Sequence, residues 1–283
     1  MKTYSFDDLQ GKICVITGGG GVIGTALAKG LASAGIKLAI LDLIEEAAEK
    51  TAAMLREEFG TQVISVAASV LEKESLEKAK AVVNRELGSI DLLINCAGGN
   101  HPQATTQIEM MEQADLADLD KTFFGLKIEG FQKVFDLNFL GTVLPTMVLT
   151  TDMLESGKGA ILNISSMSAF KPLTKVGAYS AAKAAINNLT EWLATHFAKL
   201  NIRVNAIAPG FFLTTQNRFL LIDEQTGEYT ARGQKVINGT PMGRFGDPEE
   251  LCGTSLYLLS DVSAFVTGVV IPIDGGYNAY SGV

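Results

Sequence analysis

The stretch Lys12-Ile13-Cys14-Val15-Ile16-Thr17-Gly18-Gly19-Gly20-Gly21-Val22-Ile23-Gly24 decides the fold. Its first six residues are apolar and β-branched enough to read as a buried strand, and they run directly into the glycines and then an Ala-rich helical run ending near Gly35. Within it, Gly19-x-Gly21-x-x-Gly24 fits a dinucleotide fingerprint: glycines let the backbone approach a pyrophosphate, and the first amides of the helix offer donors. The run IKLAIL over residues 36–41 predicts a second strand that ends at Asp42, where a carboxylate can meet a ribose hydroxyl.

The same alternation continues outward. Helical patterns over 45–59 and 73–87 alternate with strand-like runs over 62–68 and 90–95, and further strands are expected at 159–165, 202–208 and 268–273. A helix from about 131 carries Asn138, and another covers 248–259. Continuous apolar strands separated by helices predict an α/β fold, a parallel sheet covered on both faces. We expect one domain over 1–283, with loops inserted at about 99–130 and 211–240, both leaving strand ends where open sheets bind ligands.

Composition narrows the functional classes. The chain of 283 residues is 47% hydrophobic and 19% charged, with a formal charge of −8 and no basic run. Nucleic acid and anionic membrane are therefore not expected partners. No apolar run approaches the roughly 18 residues that span a bilayer, and the first residues hold no signal-type apolar segment, so a cytoplasmic location is expected. Cys14, Cys96 and Cys252 are widely spaced in apolar surroundings and read as reduced thiols; with only two histidines, no metal site is expected.

The chemistry-bearing residues cluster around the fifth strand. Tyr179 and Lys183 are four apart, so a helix places them one turn apart on one face, where an ammonium would favour the phenolate. Ser166, just past the strand 159–165, could hydrogen-bond the same substrate carbonyl. In the loops, His101 is a candidate substrate contact. Arg218, with Lys171 as second candidate, could pair with a substrate carboxylate.

Taken together, these pieces resemble the short-chain dehydrogenase/reductase family from 12 to 276. The likeness is carried by Ser166 thirteen residues before Tyr179, Lys183 four after it, Asn138 in Asn-Phe-Leu-Gly, and Pro209-Gly210 after the sixth strand. It implies a Rossmann-like, doubly wound three-layer fold with strand order 3-2-1-4-5-6-7, and commonly a homotetramer. It also implies a catalytic tetrad of Asn138, Ser166, Tyr179 and Lys183, with Asn138 holding a water in a proton relay. Cofactor contacts are implied at Thr17, Gly18, Gly19, Gly20, Gly21, Val22, Ile23 and Gly24, at Asp42, Ser69, Val70, Asn95, Ala97 and Gly98, and at Tyr179, Lys183, Pro209, Gly210 and Thr214. Three positions depart from the family pattern: Val22 stands for a glycine, Ser69 for an acid, and Cys96 for an asparagine.

The loops Ala97-Gly98-Gly99-Asn100-His101-Pro102 and Ala208 to Thr214, the run Gln216 to Leu221 and the ending Ala279 to Val283 are similar to the D-mannonate oxidoreductase (fructuronate reductase) branch of that family. The expected reaction is hydride transfer between NAD(H) and a sugar acid, D-fructuronate reduced to D-mannonate. Alternatives are a gluconate 5-dehydrogenase, a 3-oxoacyl carrier-protein reductase, for which this acidic chain lacks an evident basic docking patch, or a non-catalytic dinucleotide sensor.

Overall fold

Alternate residues of Ile13–Thr17 (β1) look to opposite sides, and both sides are dry. Cys14 and Ile16 join one core cluster, and Ile13 and Val15 join the other. A strand buried on both faces demands a helix layer on each. The computed structural model, which describes residues 5–214 and 218–282, supplies them. Gln216 and Asn217 of the second loop and Val283 of the ending lie outside the described residues.

After β1 come α1 (Val22–Ser33), β2 (Lys37–Asp42), α2 (Glu45–Phe59), β3 (Val63–Ala67), α3 (Lys73–Glu86), β4 (Leu92–Asn95) and α4 (Ile128–Phe135). They are followed by α5 (Gly141–Leu149), α6 (Thr151–Ser156), β5 (Gly159–Ile164), α7 (Gly177–Phe197) and β6 (Ile202–Pro209). The last are α8 (Arg218–Leu221), α9 (Ala231–Asn238), α10 (Cys252–Leu259) and β7 (Val270–Ile273). The strands form one parallel sheet in the order β3-β2-β1-β4-β5-β6-β7.

One core side packs Leu27 and Leu31 of α1, Leu55 of α2 and Leu258 of α10 on Ile16, Ile40 and Ile94. The other packs Leu76 and Val83 of α3, Leu149 of α5 and Leu193 of α7 on Val15, Leu93 and Val204. The strand order reverses between β1 and β4, and their ends, Thr17 and Asn95, pair directly. That edge is the topological switch point, where the flanking loops part and leave a crevice.

Three segments differ from expectation. The expected helix from about 131 begins at Ile128, and the backbone around Asn138 widens into a π-turn over Asp136–Leu140 before α5 resumes. A tertiary contact accompanies it: Asn138 Nδ2 donates both to Val134 O (2.8 Å) and across to Gly99 O (2.7 Å), tying the turn to the neighbouring loop. The stretch after β4 winds through short 3-10 turns, among them Pro102–Ala104 and Phe123–Gly125. The helix expected over 248–259 opens instead as a 3-10 turn, Pro248–Leu251, capped by Asp247. Among the described residues no helix is long and apolar enough to cross a membrane.

Candidate active site

The glycine turn is shaped by close backbone approach. Gly18 adopts φ +63°, the left-handed region, and a β-carbon there would lie 2.8 Å from Ala97 Cα. A β-carbon on Gly24 would run into the Gly18 carbonyl and lie 2.8 Å from Gly19 Cα. Side chains are thus excluded where α1 starts, and no side chain caps that helix. Its first amides therefore remain available to an anion.

Beside this turn lies a cleft of about 680 Å³ that runs from Asp42 to Thr214. Gly18, Gly21, Val22, Ile23, Gly24, Asp42, Ser69, Val70, Ala97, Gly98, Tyr179, Lys183, Pro209, Gly210 and Thr214 line it, as does Ser166. The crevice suits an extended dinucleotide: a glycine cradle, a helix start at its middle and a carboxylate at one end. Asp42 is held in place, its Oδ2 accepting from Gly20 N (3.1 Å) and its Oδ1 from Ile44 N (3.1 Å).

Four of the expected cofactor contacts, Thr17, Gly19, Gly20 and Asn95, are not among the residues that line the cleft. Thr17 is fully buried, and its hydroxyl accepts from the amides of Cys96 (3.1 Å) and Ala97 (3.3 Å), tying the ends of β1 and β4 together. Asn95 donates to Thr146 Oγ1 and Asn163 Oδ1, both at 2.9 Å, deep in the sheet. Gly19 closes on Leu41 O and packs against Ile40, and Gly20 meets Asp42. Thr17 and Asn95 thus brace the cleft from within the sheet. Leu137, Ile164, Ser165, Phe211 and Phe212 line it without having been expected. Phe211 and Phe212 directly follow Pro209-Gly210, which is the signal that could have found them.

Ser166, Tyr179 and Lys183 converge on this cleft from the end of β5 and the first turns of α7. Lys183 is 4% exposed and donates to Ile164 O at 2.8 Å, its Nζ lying 5.7 Å from the centre of the Tyr179 ring. Asn138, fully buried, accepts from Gly99 N (3.1 Å) with the Oδ1 whose amide partner grips Gly99 O. Its side chain thus clamps the wall that carries Gly98 and Gly99, and its carbonyl accepts from Thr142 Oγ1.

Burial dominates the electrostatics here. It pushes the Lys183 ammonium down to about 8 and raises the Tyr179 phenol above its ordinary value of 10. The lowering of Tyr179 by Lys183 that their spacing suggests does not govern; the downward pull comes from a hydrogen bond with Ser166. Cys96, pushed up to about 12 chiefly by burial, is an uncharged thiol at neutral pH and adds no charge to the site.

The substrate candidates are less central. His101 Nδ1 accepts from Gln103 N (3.2 Å), which leaves Nε2 as the donor, but the residue is not part of the cleft lining. Lys171 donates to Tyr280 O (2.8 Å), and Arg218 is exposed at the start of α8; neither lines the cleft.

A family model described as enoyl-(acyl carrier protein) reductase matches residues 20–278, most of the length that builds this sheet and cleft. The chain belongs to the short-chain dehydrogenase/reductase family. It is 51% identical over 280 residues to UxuB, an uncharacterised oxidoreductase of Bacillus subtilis, covering 98% of each chain. It is 30% identical over 275 residues to a 2-dehydro-3-deoxy-D-gluconate 5-dehydrogenase of Formosa agariphila, 97% of this chain and 96% of that one. A crystal structure of a proposed D-mannonate oxidoreductase from Haemophilus influenzae with bound NAD superposes with a TM-score of 0.92 at 49% identity, covering 98% of both chains. The protein is thus a short-chain oxidoreductase, of a family that uses NAD or NADP.

Proposed function

We propose that this short-chain oxidoreductase transfers hydride reversibly between NAD(H) and a sugar acid, reducing D-fructuronate at C5 to D-mannonate. The observation that carries the reaction class is the convergence of Ser166, Tyr179 and Lys183 on one cleft with the glycine turn and Asp42. The choice of sugar acid is supported by the likeness to the Haemophilus protein and by the loops that follow β4 and β6.

Bound in the cleft, the nicotinamide would supply or accept the hydride. The turn and the start of α1 would hold its pyrophosphate, Lys183 its nicotinamide ribose, and Thr214 with Pro209-Gly210 the nicotinamide end. In reduction, Tyr179 gives its proton to the substrate oxygen while Ser166 donates a hydrogen bond to it. In oxidation, Tyr179 takes the proton back. Asn138 keeps the Gly98-Gly99 wall in register and stays with the tetrad in a proton relay. A cytoplasmic homotetramer, organised as one domain with substrate loops at 99–130 and 211–240, completes the reading; exposed Met147 and Trp192 on α5 and α7 are apolar surface that assembly would cover.

NADH oxidation with D-fructuronate, 5-keto-D-gluconate and an acetoacetyl thioester tests the reading. The highest kcat/KM is expected with D-fructuronate. Preference for either other compound reassigns the substrate, and silence with all three removes the sugar-acid reading.

Asp42 also sets the expected cofactor. Its fixed carboxylate would accept from a ribose 2′-hydroxyl and repel a 2′-phosphate, and the adjacent Leu43 and Ile44 bring no cation. NAD should exceed NADP in kcat/KM, and Asp42→Ala should narrow that ratio by about tenfold or more, the worth of one charge-assisted bond. Equal efficiencies in the parent protein would refute the assignment. The ratio is the proper measure because loosening Gly20 penalises both cofactors alike.

Arg218 is the proposed partner of the substrate carboxylate, reached by movement of α8 toward the cleft, with Lys171 next in line and His101 as a hydroxyl contact. Arg218→Ala should raise KM for D-fructuronate by roughly tenfold and leave an uncharged ketose nearly unaffected. Parallel changes on both substrates would transfer the role to Lys171.

A further inference from the structure

The Ser166 hydroxyl has two oxygen lone pairs, and both are occupied from one residue. Ser168 N donates to Ser166 Oγ at 3.2 Å, and Ser168 Oγ donates to the same atom at 3.0 Å. Ser168 is 1% exposed and Ser166 is 8% exposed, so water has little room to compete for either bond. A serine hydroxyl carries one proton and two acceptor sites. With both acceptor sites filled, Ser166 has only its O–H left to offer, and that proton points the bond outward.

We propose that Ser168 is a positioning residue that holds Ser166 as an obligate hydrogen-bond donor, its one proton serving the Tyr179 oxygen before substrate binds and the substrate oxygen afterwards. The proposal rests on the assignment of Ser166 and Tyr179 made above. Polarity matters because a serine free to turn could instead accept from the Tyr179 phenol, which would stabilise the neutral acid and withhold a donor from the developing alkoxide. A donor does the reverse on both counts. The downward pull of Ser166 on Tyr179 agrees with a donor. A serine that merely capped the turn Met167–Ala169 would need the Ser168 amide alone, whereas here the hydroxyl of Ser168 is spent on the same atom.

Few other groups can move the Tyr179 titration. Lys183 faces it from its own helix and Cys96 from the end of β4. From the turn that brings Ala104 against the ring, His101 spends Nδ1 on Gln103 N.

The test is an ultraviolet titration of tyrosinate with NAD present, the Tyr179 signal being isolated by subtracting the curve of Tyr179→Phe. Ser168→Ala should move the Tyr179 titration upward by about 0.5 to 1 pH unit, the scale of one neutral hydrogen bond. Ser168→Thr, which keeps the hydroxyl, should restore it, and Ser168→Ala in a Ser166→Ala background should add nothing. D-Mannonate oxidation near pH 8 should show the same pattern, with kcat falling about threefold to tenfold and KM for NAD unchanged. An unmoved titration overturns the proposal, as does an equal shift in the Ser166→Ala background. The titration needs no substrate, so it stands apart from the choice of sugar acid. Turnover surviving in Tyr179→Phe would instead sink the acid/base assignment.

Discussion

Tyr179→Phe is expected to lower kcat by about a thousandfold or more while NAD affinity stays near that of the parent protein, because general acid catalysis contributes on that scale and only one oxygen is removed. The ring itself belongs to a small apolar cluster with Ala104, Val134, Ala178 and Ala182, and phenylalanine fills the same space. Folding should therefore survive. The pH dependence carries a second expectation with a definite sign. Reduction uses the neutral phenol and oxidation uses the phenolate, and burial raises the phenol above its ordinary value of 10. Alcohol oxidation should keep rising from neutral pH toward 10, while reduction stays flat or falls only at the alkaline end. Near-parental kcat in the folded variant, or an oxidation rate that levels off at neutral pH, would remove Tyr179 from the proton-transfer role.

Local patterns made the sheet legible. Strand, glycine turn and helix over residues 12–35 are encoded by neighbours in sequence, and β1, the turn and α1 formed where they were expected. The seven-stranded order likewise agrees with the family resemblance. Orientation was harder. Thr17 and Asn95 sit at the strand ends that the motifs mark, but the twofold alternation of a strand turns both side chains into the protein, where they brace the cleft. A motif gives position along the chain and says little about which way a side chain points.

Tertiary contacts hid the rest. The π-turn at Asn138 is tied to Gly99, 39 residues away in sequence, and no periodicity announces it. Ser168 carries no signal of its own in the sequence, because a third serine near a strand end is ordinary until the fold sets its hydroxyl against Ser166. The spacing of Tyr179 and Lys183 gives their proximity alone. Burial, which spacing does not show, reversed the expected direction of the phenol's shift.

Lys183→Met is expected to cost activity and to change the pH dependence of stability. Turnover should drop about a hundredfold or more and KM for NAD should rise, since Lys183 stands beside Tyr179 in the proposed tetrad and would hold the nicotinamide ribose. Stability follows from the burial of that ammonium, which brings it from 10.5 to about 8. Below about 8 the folded protein carries a charge it holds at a disadvantage. Between about 8 and 10.5 the folded protein has released the proton that the unfolded chain still binds, so the stability of the parent rises with pH across this window. The full change amounts to about 3 kcal/mol, at about 1.4 kcal/mol per pH unit. The variant lacks this term, while Cys96 and Tyr179 titrate in both proteins and largely cancel in the difference. Loss of the bond to Ile164 O costs the variant about 1 to 3 kcal/mol, but nearly equally at every pH. Denaturant unfolding of both proteins at matched pH should therefore show the parent gaining on the variant from pH 8 upward. A constant difference across that range would mean that Lys183 is not held at a disadvantage by burial, and its release of a proton near pH 8 would have to be abandoned with it.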